Sequence, residues 1–203
     1  MSIRKSFLLL LCLSIAGCAS GPKTKVSFRD AGFDGQYEQV LVIALSVTGI
    51  ETFREHAEKT LVQRLEQLGV GAVPRNRLFR AREELTRELV LERISKSDVD
   101  AVLVVVGGNI QFSDRGPETY INTRGGYGDY SNSVGNAFIF QSPVPNQRMD
   151  NLDVNIISHL YDVKSEKRVW TATTTMANPG SKMEVIAKVS EKIVKAMQQE
   201  NFF

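Results

Sequence analysis

The sequence AVLVVV, residues 101–106, is the most hydrophobic stretch of the chain after residue 17, and it decides the fold. A second unbroken apolar run, VLVIAL, occupies residues 40–45. Strands without polar alternation are buried on both faces, as in a sheet whose two sides are covered by helices. The two segments therefore predict an α/β domain in which residues 101–106 form the central strand.

Segments with helical periodicity separate and follow these strands. Thr48 with Glu51, and Ser181 with Glu184, have the spacing of capping boxes and predict two helix starts. Another helix is predicted over 81–95. The residues expected to face the core are Phe53, Ala57, Leu61, Leu65 and Leu68, then Leu85, Leu89 and Ile94, and finally Ile186, Val189, Ile193 and Met197. The solvent side of the first helix is expected to carry Glu55, Glu58, Lys59 and Gln63.

Three further strands complete the predicted sheet. Residues 70–73 form a short apolar segment closed by Pro74, and residues 152–160 alternate between apolar and polar side chains. Residues 162–170 predict a hairpin that leads into a strand reaching Met176. The predicted fold is a single α/β sandwich with a mixed sheet of about five strands in the order β-α-β-α-β-β-β-α.

Residues 1–17 have the pattern of a secretion signal. Arg4 and Lys5 precede an apolar run over 7–16, which is too short for a membrane-spanning helix of about 20 residues. The end of this segment, IAGC, resembles the lipobox of bacterial lipoproteins. The resemblance implies cleavage before Cys18, diacylglycerol on its thiol and an acyl chain such as palmitate on its amine. Ala19, where an Asp would imply retention in the inner membrane, favours the periplasmic side of the outer membrane.

Residues 18–37 are rich in Gly, Pro and charge and are interpreted as the lipidated cysteine and its tether, with the domain spanning 38–200. Removing Arg4 and Lys5 from the 25 Lys+Arg leaves 23, which equals the 23 Asp+Glu. A neutral mature chain disfavours a nucleic-acid partner. The mature chain keeps one cysteine, Cys18, so that the domain offers no disulfide, thiolate metal site or cysteine nucleophile.

The sequence lacks the common catalytic signatures. Its two histidines, His56 and His159, are far apart in sequence and are both expected to be solvated. The sequence has no HExxH metal motif, no GxSxG nucleophile elbow and no phosphate-binding loop. We therefore expect no metal, no cofactor and no enzymatic activity.

An insertion predicted over 107–150 stands apart from this regular pattern. It holds 7 of the 15 glycines together with several aromatic residues. Tyrosine and phenylalanine on a glycine-rich backbone are typical of adaptable recognition loops, although a solvated insertion explains the composition equally well. The candidate partner-binding residues are Tyr120, Tyr127, Tyr130, Phe138 and Phe140.

Four segments carry a resemblance to known periplasmic modules: VLVIAL, RLEQLGV, VDAVLVVVGG and a late hairpin of pattern DxKxxKxVW. Over 38–107 and 151–200 the chain resembles the α/β domain shared by the TolB N-terminal domain, the curli secretion lipoprotein and the lipoprotein activators of penicillin-binding proteins. The resemblance implies docking and assembly rather than catalysis. The short tether argues against the activator role, because those lipoproteins cross the cell-wall layer on long disordered linkers.

The leading hypothesis is an outer-membrane lipoprotein, anchored through Cys18, that docks a periplasmic or outer-membrane protein as a non-enzymatic accessory or assembly factor. A first alternative is a glycan-binding or cell-wall-binding protein or enzyme that uses the 107–150 loop. A second alternative is a homo-oligomeric subunit of an export complex.

Overall fold

The structure of the protein, a computed structural model, describes residues 21–45, 51–80, 83, 85–112 and 152–203. Those residues form six strands, three α-helices and one 3-10 turn at Arg75–Arg77. In chain order the elements are β1 (Lys23–Arg29), β2 (Gln39–Leu45), α1 (Glu51–Glu66), β3 (Gly71–Pro74), α2 (Arg87–Ser95), β4 (Ala101–Phe112), β5 (Leu152–Asp162), β6 (Arg168–Ala177) and α3 (Lys182–Gln199).

The strands form one mixed sheet in the order β1-β6-β5-β4-β2-β3. Strand β2 pairs in parallel with β3 and β4, because a helix returns the chain to the start of each next strand. Strands β4, β5, β6 and β1 pair antiparallel. The mixed α/β class is therefore confirmed. The sheet has six strands rather than the five that the sequence predicted.

The additional strand is β1, which lies inside the segment 18–37 that was interpreted as a tether. It pairs with β6, with Lys23 opposite Thr175 and Arg29 opposite Trp170. Alternate residues of β1 face the core, where Val26 packs, while its lysines are exposed. A short strand with outward lysines is typical of a sheet edge, and its polar composition explains why the sequence indicated a tether.

The second difference concerns the start of the predicted insertion at residue 107. Strand β4 continues through Phe112 and stays paired with β5, where Phe112 lies opposite Leu152. The register shifts between Gly107 and Ile110, which accommodates the two glycines as a bulge. The glycines therefore belong to an irregular strand rather than to a loop.

Two helices cover one face of the sheet and one covers the other. Buried residues of α1 and α3, such as Leu65 and Ile193, share a core with Trp170 of β6. Buried residues of α2, such as Ile94, share a second core with Ile43 of β2. All four residues expected to face the core in the last helix, Ile186, Val189, Ile193 and Met197, are buried. In the described residues, no helix has the length and hydropathy needed to cross a membrane.

Helix ends explain the remaining differences. Ser181 caps α3 by accepting the N–H of Glu184 at 3.1 Å, as predicted. Helix α2 begins at Arg87 rather than near 81, because the Thr86 side chain caps it by accepting the N–H of Leu89 at 3.3 Å. Helix α1 ends at Glu66, and Leu68, which was expected in the core, is 41% exposed.

Candidate partner interface on the sheet

The residues that sequence reasoning selected lie outside the described part of the chain. They are Cys18, Tyr120, Tyr127, Tyr130, Phe138 and Phe140. The structure does describe the points from which their segments depart, namely Lys23 at the start of β1, Phe112 at the end of β4 and Leu152 at the start of β5.

All three departure points lie at one end of the sheet. Strands β1 and β5 start there, because each is antiparallel to β6, which ends there at Ala177. We call this the anchor end, defined by Lys23, Phe112, Leu152 and Ala177. Lys23 is level with Thr175, which pairs with Asn155, three residues from Leu152. The β4–β5 arm therefore extends beyond Lys23 by about 10 Å, at ~3.3 Å per residue.

The sheet presents one polar face in the half formed by β5, β6 and β1. Helix α3 packs on the opposite side of these strands, and no helix of the described residues covers this side. Because alternate residues of a strand share a face, the polar face is fixed by the strand register. It consists of Asp153, Asn155, Ile157 and His159 from β5, Thr171, Thr173 and Thr175 from β6, and Lys23, Lys25 and Phe28 from β1.

Hydrogen bonds between neighbouring strands order the polar face. Thr175 donates its hydroxyl to Oδ1 of Asn155 at 2.7 Å. One row further, Nδ1 of His159 and Oγ1 of Thr171 share a hydrogen bond of 2.9 Å. These cross-strand pairs hold four polar side chains in defined orientations.

His159 is half-buried, and the expectation that it is solvated is wrong. Burial, together with the positive charge of Arg168, lowers the pKa of His159 to about 4. The ring lies edge-on to Tyr161, with the centroids 6.2 Å apart. At neutral pH the ring is therefore uncharged. Thr171 is itself buried, so the uncharged polar groups that the face presents are those of Asn155, Thr173 and Thr175 and the partly exposed ring of His159.

Glu58 is a buried ionisable residue. The sequence analysis placed it on the solvent side of α1, and that prediction is wrong. It is 2% exposed, and its Oε1 accepts the N–H of Ala44 at 3.0 Å. Burial raises its pKa to about 7, against the opposing effects of the Ala44 hydrogen bond and the charges of Arg54 and Arg75. The sequence did contain a signal, since Glu58 precedes Leu61 and Leu65 by three and seven residues and so shares their face.

Glu58 and the polar face lie on opposite sides of the sheet. Glu58 lies in the α1 layer, and its carboxyl group links α1 to β2 through the hydrogen bond from Ala44. Among the described residues, no group of three or more His, Cys, Asp and Glu is placed to hold a metal ion. On the polar face, the described residues bring together hydrogen-bonded hydroxyl, amide and imidazole groups.

Comparisons with known proteins give a likeness of fold. No family model matches the chain, and a search of curated proteins gives no match. The PelC dodecamer from Paraburkholderia phytofirmans matches with a TM-score of 0.50 and 15% identity, over 87% of this chain and 97% of that one. The dodecamer of the PelC variant L103M matches with a TM-score of 0.49 and 13% identity, over 85% of this chain and 96% of that one. Lipoprotein GNA1162 from Neisseria meningitidis matches with a TM-score of 0.40 and 13% identity, over 79% of this chain and 98% of that one. At these identities, the finding is that the chain shares the fold of PelC.

Proposed function

We propose that this chain is an outer-membrane lipoprotein that docks a protein partner in the cell envelope, as a non-enzymatic accessory or assembly factor. The observation that carries the proposal is the polar face of β5, β6 and β1. Its groups are ordered and uncharged at its centre, and no helix of the described residues covers it.

The polar face has the physical properties of a recognition surface. Its cross-strand hydrogen bonds fix side chains before a partner arrives, which lowers the entropy lost on binding. Ile157 and Phe28 supply apolar area among the polar groups, and the guanidinium of Arg168 lies 5.4 Å from the ring of Phe28. Mixed polar and apolar composition is what non-obligate protein interfaces use.

Acylation of Cys18, which the lipobox resemblance implies, would hold the protein at the membrane. Cys18 precedes Lys23 by five residues, which span at most about 17 Å when fully extended. Strand β1 is fixed to the sheet, so that an acylated Cys18 would hold the domain close to the bilayer. Several acyl chains on one residue exceed what stable anchoring requires. Substituting Cys18→Ser and fractionating the cells tests the anchor: the expected result is loss of the protein from the envelope fraction, and retention there contradicts it.

Site-specific crosslinking tests the docking surface. A photoreactive residue at Thr173, in the middle of the polar face, should give a defined crosslinked product in cells. The same residue at Gln63, exposed on α1, is the matched control and should give none. Ile157→Glu should abolish the Thr173 product, because it buries a charge in the interface. Equal products from both positions, or a product insensitive to Ile157→Glu, would contradict docking at this face.

A second candidate is self-assembly of this chain, and one observation favours it. PelC, whose fold the chain shares, has been solved as a dodecamer. Light scattering on the purified protein separates the two candidates, because a ring would have a mass many times that of one chain. A Thr173 crosslink between two copies of this chain would identify the polar face as the contact between subunits.

A further inference from the structure

The side of the sheet that carries the polar face is divided into two halves. Helix α2 covers the half formed by β4, β2 and β3, where Ile94 shares a core with Ile43 and Val104. The other half, formed by β5, β6 and β1, is the polar face, and no helix of the described residues lies on it. Because a helix with its side chains is about 10 Å across, the polar face is a recess about 10 Å deep beside α2.

This recess gives the molecule a self-complementary shape. Two sheets pack face to face at about 10 Å, which matches the height of the α2 layer. A second copy can therefore lay its polar face on that of the first, related by a two-fold axis that runs along β6. Helix α2 of each copy then lies beside β1 of the other copy. It covers the outer edge of a strand that is the last in the sheet order.

Charges on the polar face favour this arrangement. Lys23 and Lys25 lie on β1, at one margin of the face, and Asp153 lies on β5, at the other margin. An axis along β6 places β1 of one copy over β5 of the other, so that Lys23 comes opposite Asn155 and one row from Asp153. One row is about 7 Å, a distance that a lysine and an aspartate side chain span together. The dimer therefore contains two such ion pairs.

The alternative axis, across the strands, is disfavoured for two reasons. Sheets that pack face to face commonly keep their strands within about 30°, so that the axis runs along or across them. An axis across the strands lays β1 on β1 and brings the lysines of both copies together, which costs affinity. It also points the two anchor ends in opposite directions. Since Cys18 precedes Lys23 by five residues, at most about 17 Å of chain, both anchors reach one bilayer only when the strands run the same way.

The remaining side chains of the face are compatible with an axis along β6. Thr173 of each copy meets its counterpart at the axis, and the methylene stem of Lys25 covers Ile157 of the other copy. Arg168 begins β6, close to the axis, but its guanidinium lies 5.4 Å from the Phe28 ring, on the β1 side. The two guanidinium groups therefore lie on opposite sides of the axis.

We propose that the polar face binds the polar face of a second copy of this chain, in a two-fold dimer whose anchors reach the same bilayer. The inference rests on the proposed function, whose partner it names. Three strands about 4.8 Å apart and seven residues long give a footprint of about 330 Å² per copy, less than half of the ~800 Å² of a standard interface. Dimers should therefore be weak in dilute solution and form where one membrane holds both copies and raises their effective concentration.

Charge reversal tests the dimer in cells that make two differently tagged copies of the lipidated chain. One copy carries a photoreactive residue at Thr173, and a product that joins the two tags reports the contact. Lys23→Asp in both copies should lower its yield by about tenfold or more, because two attractive ion pairs become two repulsive ones. Asp153→Lys in both copies should have the same effect. Because Lys23 is exposed, its reversal leaves the fold intact, and an unchanged yield for Lys23→Asp overturns the proposal.

Combining the two reversals in different copies gives the sharper test. Asp153→Lys in one copy and Lys23→Asp in the other should restore the product, since each lysine again lies near a carboxylate of its neighbour. Lys59→Asp makes the same charge change at an exposed position on α1 and is the matched control. With Asp153→Lys in the other copy it keeps one repulsive pair, so that the yield should stay about threefold lower. Restoration by Lys59→Asp equal to that by Lys23→Asp overturns the proposal.

The outcome is distinguishable from that of the proposed function. A Thr173 product that joins this chain to a different protein keeps docking at the polar face and overturns the two-fold dimer. Absence of any product at Thr173 contradicts both. A product between two copies that neither charge reversal weakens keeps self-assembly and overturns the arrangement around β6.

Discussion

Tyr37 donates its backbone N–H to the carbonyl oxygen of Phe202 at 2.8 Å, and their rings stack with centroids 6.1 Å apart. Phe33 stacks on Tyr37 at 5.1 Å, and Trp170 meets Phe202 edge-on at 6.4 Å. The guanidinium of Arg29 lies 4.3 Å from the Phe202 ring centre. This aromatic cluster joins the segment before β2 to the last turn after α3, so that the two ends of the described fold stabilise each other.

The first prediction concerns Phe202, which is fully buried. Phe202→Ala should lower the free energy of unfolding by about 3–5 kcal/mol, because it empties the centre of the aromatic cluster. Urea denaturation followed by circular dichroism measures the change. Gln198→Ala, exposed on the same helix, is the control and should stay within about 0.5 kcal/mol. Similar effects from both would mean that the C-terminal residues do not close the fold.

The second prediction compares two leucines that sequence periodicity placed on one stripe. Leu65→Ala should destabilise the protein by about 2–5 kcal/mol, because Leu65 is buried in the core. Leu68→Ala should change stability by less than about 0.5 kcal/mol, because Leu68 lies beyond the end of α1 and is exposed. Thermal unfolding of the pair measures both, and a large effect at Leu68 would contradict the observed end of the helix.

These residues show what the sequence can and cannot predict. The apolar runs at 40–45 and 101–106 and the stripe of the last helix are strong signals, because burying them dominates the energy of the fold. The prediction that Leu68 is buried is wrong because the spacing of apolar residues does not show where a helix ends. The prediction for Glu58 is wrong because a charged side chain was expected in solvent even though its spacing puts it on the buried face of the helix. The N–H of Ala44 donates a hydrogen bond to the carboxyl group, which allows it to be buried.

The N-terminal strand and the polar face could not be predicted from the sequence for another reason. The sequence of β1, KTKVSFR, has few apolar residues, and its pairing with β6 joins residues about 150 positions apart. Such a contact depends on the rest of the sheet and leaves a weak local pattern. The polar face arises in the same way, since His159 and Thr171 meet through strand register. No spacing within either strand reveals their hydrogen bond.

The third prediction follows from the lowered pKa of His159, about 4 in the folded chain against about 6.5 when unfolded. Above pH 6.5 the ring is neutral in both states and its contribution to stability is complete. As the pH falls toward 4, the unfolded chain binds the proton first and stability declines. His159→Gln should flatten this slope in unfolding measured across that range. His56→Gln, which changes an exposed histidine on α1, should leave it in place.

The last prediction concerns Glu58, whose pKa is raised to about 7 by burial. Below pH 4.5 the carboxyl is protonated in both states, and its contribution to stability is complete. Between pH 4.5 and 7 the unfolded chain ionises first, so that stability should fall as the pH rises, by an amount on the order of 2 kcal/mol. Glu58→Gln keeps an oxygen that can accept the N–H of Ala44 but cannot ionise.

The stability of Glu58→Gln relative to the parent chain should therefore rise as the pH increases from 4.5 to 7 and level off above it. Urea titrations of both chains at matched pH values measure this difference, which cancels the opposing slope from His159. Glu55→Gln removes a charge from the exposed side of the same helix and should give no such pH-dependent gain. A constant difference between Glu58→Gln and the parent would mean that Glu58 is ionised in the folded chain, with the α1–β2 junction open to water.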